Sequence, residues 1–596
     1  MLKAKTAIVI LAIAYLGVST CSAQTLEENW NDFLHYTKIG RFDMAKGHAQ
    51  AVLAGNPDPV KLLELSRANQ QGYQILVRVN DVAPDAELAD LSGKVLAIIE
   101  QGRFIERTEP RIIAEEVRRL SGTDRGWLTA VKRLRNAGEY AIPFMLDAIA
   151  DSSRENELSY IVRALPHIGR DGIRPLVAAL QTDNVTLKAQ IIIALGKIGY
   201  PQSQAHLKYI IENDDSSQLR AMAQDSIRQI NPDMLQVPAA QLFQELAEKY
   251  YYHAQSLAPA QDASFANVWF WDSDTGKLVR EEVDKSYFNE LMAMRTCEWA
   301  LKADAGFGSA IGLWIASFFK AESTGVEKMP AYFGERHADA LVYATTAGVE
   351  YLHQALARAV KDNNAHVALG VIEALATTAG EKSLLYQIGP SQPLLQALSF
   401  NDRMVRYSAA IAIGAAGPKE GFAESKLVVA NLAEALGQSS QTSAEGANGW
   451  SEEIAENYAV RAAEAMLSLA QARNPVLDLS AAQLALESAV SDNRIQTLAG
   501  HILAYLESPG AQRAIAAMAL DTDNDSDVRI SAFNSLATSA KLNANMLPDE
   551  TIDAIYVLIS SDTTDSDIRS TAAAAYGALN LPSRKVKDLI LDQAKS

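Results

Sequence analysis

The residues with the widest chemical range in this 596-residue chain are nine histidines and two cysteines, and their spacing decides what they could do. A metal centre needs several ligands converging from one helical turn or one tight loop. The nearest histidine pairs, His35 with His48 and His337 with His353, lack that spacing, and the tripeptide Glu335–His337 stands alone. The stretch Asp521–Asp527 alternates carboxylates as a calcium loop does. It has Ser526 where the loop needs glycine and Ala532 where it needs a bidentate glutamate. The turn starting at Asp272 departs in the same way, so these acids read as helix caps and turn closers. There is no G-x-S-x-G, no Walker A motif and no G-x-G-x-x-G opening a helix, and the glycines from Gly306 follow a helix rather than a strand. Cys297 sits in an apolar helical stretch, which makes it an inert buried thiol rather than a nucleophile. The expectation is a non-enzymatic chain with no catalytic residues, no metal and no cofactor.

Two other concentrations could carry recognition. Four of the seven tryptophans (Trp269, Trp271, Trp299, Trp314) fall within 269–314, preceded by Tyr250, Tyr251 and Tyr252 and followed by Phe318, Phe319, Tyr332 and Phe333. Such a gathering either closes a local core or anchors a partner. The expectation taken is a partner groove, with Trp269 and Trp271 at its edge and Phe270 pointing away. The second concentration is Arg103–Arg135, with nine basic residues against five acidic ones, including Arg111, Arg118, Arg119, Lys132, Arg133 and Arg135. It is a local reversal of charge in a chain of net charge −18, and either a solvated helix face with internal pairs such as Glu115 with Arg118 and Arg119, or a binding surface.

The elements that would position these residues are repeated. Ala164, Leu165, Ile168 and Gly169 recur thirty residues on as Ala194, Leu195, Ile198 and Gly199, and a weaker copy follows around Leu219–Ile230. Each unit has two apolar stretches of helical period with a break between them, and helix pairs of this kind bury their faces only by stacking. Farther on, Asp402, Val405, Arg406 and Ala409 recur as Asp525, Val528, Arg529 and Ala532, and as Asp565, Ile568, Arg569 and Ala572. Asp527 and Asp567 belong to the same motif loops. Ala266–Val283, with its Asp-Ser-Asp-Thr-Gly turn, predicts a β-hairpin, and Gly437–Gly449 a flexible loop.

The D-x-x-V-R-x-x-A units resemble HEAT repeats, in particular the short HEAT-like repeats named after the phycobilisome lyases, seen in exported bacterial proteins. Trp30–Pro59 resembles one tetratricopeptide-type helix pair, through Trp30, Ala45, Ala49 and Pro57, and Tyr287–Glu322 has a similar pattern. The resemblance implies an all-α solenoid and says nearly nothing about activity, since the motif residues are structural. An enzymatic relative, deoxyhypusine hydroxylase, holds iron through paired His-Glu dipeptides, and this chain has no His-Glu dipeptide.

Lys3 and Lys5, the apolar run Ala7–Val18 and the small residues before Gln24 make a secretory signal, with cleavage after Ala23 or lipidation at Cys21 as the two outcomes. The acidic balance argues against nucleic acid, which needs a basic stripe. The expected organisation is a signal at 1–23, a tetratricopeptide-like segment at 24–110, HEAT-like repeats at 111–235, an aromatic-rich centre with the hairpin at 236–345, and HEAT-like repeats at 346–596. The expected function is a periplasmic or secreted scaffold that binds a protein partner through a concave solenoid face. The alternative is a small-molecule-binding protein of lyase or enzyme type that uses the aromatic centre as its pocket.

Overall fold

The computed structural model describes residues 24–82, 85–260, 264–326, 329–330, 333, 337–438, 451–582, 587 and 590–591. The signal at 1–23 with Cys21, the residues Tyr332 and Glu335, and most of the Gly437–Gly449 loop lie outside them. The described chain is an α-solenoid of helix pairs interrupted by a single hairpin. Contacts divide it into two compact units. Unit 1 holds the chain up to Tyr200 with Ala260–Ser264 and Val268–Arg280; unit 2 holds Pro201–Pro259, Phe265–Asn267 and the chain from Glu281 on.

Unit 1 begins with α1 (Leu26–Lys38), α2 (Phe42–Ala54), α3 (Pro59–Ala68), α4 (Gln70–Val82), α5 (Ala86–Thr108), α6 (Pro110–Arg119), α7 (Asp124–Ala137) and α8 (Ala141–Ala150). Local sequence sets these boundaries. Thr25 and Glu28 form a reciprocal capping box at α1, Asp58 precedes Pro59 at α3, and Asp85 accepts from the amides of Glu87 and Leu88 at α5. Pro110 has no amide hydrogen to continue α5, so the chain stops at Glu109 and restarts as α6. Trp30, Phe33, Ala45, Ala49, Leu62, Leu63, Leu88 and Val95 close one core across the first five helices. Helices α1 and α2 pack together through Trp30, Ala45 and Ala49.

The doubled segment has a physical reason. Gly169 and Gly199 both take left-handed backbone, at φ +75° and +73°, where a side chain would be strained, so each repeat breaks at the same glycine. The two copies differ in how they reach it. Ala194–Ile198 is the last turn of the helix Val185–Ile198, whereas Pro166 removes an amide donor and Leu165–Gly172 winds as 3-10 turns on either side of Gly169.

In unit 2 the second motif shows its division of labour. Asp402 accepts from the amides of Met404 and Val405, and Asp565 from those of Asp567 and Ile568, each starting a helix. Asp527 and Asp567 lie inside the first turns and do not cap. The arginines reach back to carbonyl oxygens. Arg406 donates to Phe400 O (3.2 Å) and Asn401 O (3.3 Å), Arg529 to Ala519 O (3.1 Å) and Arg569 to Thr564 O (2.9 Å). The carbonyls at a helix end and in the loop after it have no helical partner, and a guanidinium one turn into the next helix is within reach of them. Arg529→Ala should lower stability by about 1 kcal/mol, the scale of one half-buried charged hydrogen bond, and leave partner binding unchanged. Loss of binding with an unaltered melting curve would contradict the structural role.

Candidate functional site

The hairpin forms as read: β1 (Phe265–Asp272) pairs with β2 (Lys277–Asp284) around a turn in which Asp272 accepts from Asp274 N and Thr275 Oγ1 and Gly276 takes φ +64°. Trp269 does not edge a groove. Trp269 is 5% exposed, and its indole N–H donates to Glu139 Oε2 at 2.9 Å, an oxygen that also accepts from Arg174 at 3.3 Å. Arg280 on β2 lies 5.1 Å over the ring of Tyr140. Phe270 and Trp271 are half-buried. The strand segment from Val268 belongs to unit 1, where the indole closes over a buried carboxylate, and that is why the expected outward anchor points inward.

The tyrosine run is corrected likewise. Tyr250 and Tyr251 are each 1% exposed. Tyr250 Oη accepts from Gln202, and the Tyr251 ring lies between Lys320 (4.5 Å) and Arg358 (5.4 Å). Burial pushes the Tyr251 phenol up. Tyr252 alone of the three is exposed, at 47%, bonded to Arg358 and Asp362. Trp299 stacks on Phe243, and Trp314 donates to Glu298. The centre is a core of aromatics, and Cys297 is a fully buried residue whose thiol is pushed up by burial.

One charged cluster there went unread. Glu290, 1% exposed, accepts from His253 and pairs with Lys320 at 3.2 Å. Burial raises its carboxyl pKa, but His253 and Lys320 outweigh it, and the net position is below the usual 4.5. The stability contributed by its ionised form is therefore present above that unfolded value and lost as pH falls through the folded one. His253 follows the helix Ala239–Tyr251 at φ +53°, a left-handed cap position that turns the ring toward Glu290.

The basic segment builds a site. A cavity of about 900 Å3 in unit 1 is lined by Arg67 of α3, Glu106 and Arg107 of α5, residues from Ile112 to Arg119 of α6, and residues from Thr129 to Ala137 of α7. Six cations (Arg67, Arg107, Arg119, Lys132, Arg133, Arg135) face three carboxylates (Glu106, Glu115, Glu116). Arg67 forks onto Glu106 at 2.9 and 2.6 Å. That guanidinium holds the Glu106 carboxyl below its ordinary range. Arg119 pairs with Glu115 and with Glu116 (2.8 Å), and Arg133 with Glu116 (2.5 Å). Glu116 is 3% exposed, so its two guanidinium partners balance a buried charge. Lys132 and Arg135 are exposed and make no ion pair or hydrogen bond with the described residues.

The structure thus separates the expected pair: Arg119 lines the cavity, whereas Arg118 is exposed on α6 and does not. Arg67 and Glu106 were missed because nothing local joins them; only the packing of α3 on α5 does. Among the described residues no group of three His, Cys, Asp or Glu side chains could hold a metal ion, and no helix is long and apolar enough to cross a membrane.

The stretch from α8 through the helix Ser217–Ile230 contains the doubled segment and its weaker copy. Residues 142–228 match the family model of HEAT repeats. No curated protein matches the chain. Among solved structures, it is similar to a chain in the crystal structure of Kap121p bound to Pho4p, with 11% identity over 95% of this chain and 69% of that one and a TM-score of 0.29. It is also similar to SYS-1, with 10% identity over 93% and 99% and a TM-score of 0.24. The likeness to HEAT repeats is shown over residues 142–228, and the helix pairs show the solenoid.

Proposed function

We propose that this HEAT-repeat chain is a non-catalytic, protein-binding scaffold acting outside the cytoplasm, with residues 1–23 as its export signal and a protein partner held at the unit 1 cavity. In this reading 24–110 is a tetratricopeptide-like segment, and 111–235 and 346–596 are the HEAT-like blocks on either side of the aromatic centre in sequence. The observation that carries the reading is the cavity: six cations against three carboxylates in a chain of net charge −18. A concave surface of reversed charge concentrates and orients an anionic partner. Two further features support it. The motif arginines are occupied in holding backbone carbonyls, and the central aromatics are occupied in packing, so neither supplies the convergent polar groups of an enzyme pocket.

Lys132 gives a direct test, because it is an exposed lysine that lines the cavity. A lysine-reactive crosslinker added to the mature protein in periplasmic extract should join Lys132 to a partner protein, identified by mass spectrometry. Crosslinks that fall on other lysines and never on Lys132 would refute the placement.

A further inference from the structure

Resting on that scaffold reading, we infer that the cavity takes an acidic peptide segment of the partner, one that carries an aliphatic side chain beside its carboxylates. The cations already engaged show what the site recognises. Arg67 with Glu106, and Arg119 and Arg133 with Glu116, are guanidinium–carboxylate pairs made by the protein itself. The two cations without such a carboxylate, Lys132 and Arg135, are three residues apart on α7, so their heads lie side by side.

The same helix presents Thr129, Lys132, Arg133 and Asn136 to the cavity, a spacing of i, i+3, i+4 and i+7 that forms one polar stripe. At 1.5 Å per residue the stripe runs about 10 Å along the helix. A single small carboxylate meets one point of such a stripe; a segment with carboxylates at successive positions meets its length. Beside the stripe lie Ile112, an exposed aliphatic residue, and the buried Ile113 and Leu134, which give the segment an apolar contact. Glu116 Oε2 is buried and has no hydrogen bond, but Arg119 and Arg133 already balance its charge, so a carboxylate of the segment meets Lys132 and Arg135.

The test titrates the mature protein with a short fluorescein-labelled oligoglutamate peptide containing a central leucine, with the glutamine version as control and free citrate as competitor. The glutamate peptide should bind, more weakly as salt rises, and the glutamine peptide should not. Lys132→Glu with Arg135→Glu should weaken binding about tenfold or more. Arg228→Glu with Lys541→Glu, the same change of net charge on unit 2, should leave it within about twofold. Both cavity residues are exposed, so an unaltered melting curve should accompany the loss. Absence of peptide binding, or binding that ignores the cavity reversal, overturns the inference. Displacement by citrate at equal concentration overturns it in favour of a small-carboxylate site. A partner crosslinked at Lys132 through a segment that is not acidic would sink this inference and leave the scaffold reading standing. Peptide binding with no protein ever crosslinked there would do the reverse.

Discussion

Trp269→Ala should cost about 3–5 kcal/mol, the range for removing a large buried aromatic. The indole is buried in unit 1 and donates to Glu139, itself 7% exposed. Truncation opens a cavity and also takes a hydrogen-bond donor from a buried carboxylate. The two losses separate by design. Trp269→Phe keeps most of the ring volume and deletes the N–H, so it should cost about 1–3 kcal/mol. Thermal unfolding orders the three proteins as wild type, Phe and Ala. Equal stability of wild type and Trp269→Ala would mean the indole is not the clamp described. Partner capture should survive in the Phe variant, since no surface is lost.

The second large effect concerns a glycine. In α5, a Cβ built on Gly102 would sit 2.2 Å from the carbonyl oxygen of Pro59 and 3.1 Å from Leu63 Cβ. Alanine in a helix interior is ordinarily favoured over glycine by about 1 kcal/mol. Here the obstacle is backbone, which cannot rotate aside, and overpacking of this kind costs about 1–3 kcal/mol or more. The clash wins: Gly102→Ala should destabilise, and Gly102→Leu should do so by about 3 kcal/mol. Gly47, in α2, has nothing within 4 Å of its built Cβ, so Gly47→Ala should stabilise by up to about 1 kcal/mol. Native-state hydrogen exchange of α2, α3 and α5 peptides reads both signs locally. Two substitutions of the same sign would contradict the close approach of α3 and α5. Because those helices carry Arg67, Glu106 and Arg107, Gly102→Leu should also loosen the cavity.

What could be read beforehand follows from how local the physics is. Gly169 and Gly199, Asp402 and Asp565 act within one turn of themselves, so their spacing announces helix ends and repeats. The hairpin was legible for the same reason, through the Asp272 turn and Gly276. The orientation of Trp269 was not, because its partner Glu139 is 130 residues away and buried by tertiary packing. An exposed and a buried tryptophan look alike in sequence. The excess of cations at Arg103–Arg135 was visible, but its resolution into cavity-lining Arg119 and solvent-facing Arg118 depends on the helical face. Arg67 became visible only when α3 packed on α5.

In the proposed scaffold, architecture and recognition reside in different residues: Trp269, Arg529 and Gly102 hold the fold, while Lys132 and Arg135 would meet the partner. The most direct measurement takes Lys132→Glu/Arg135→Glu and wild type, records a melting curve for each, and uses each as bait in the same periplasmic extract. The account predicts superimposable melting curves and loss of the captured protein from the double variant alone. Undiminished capture by the double variant, with folding intact, would contradict it.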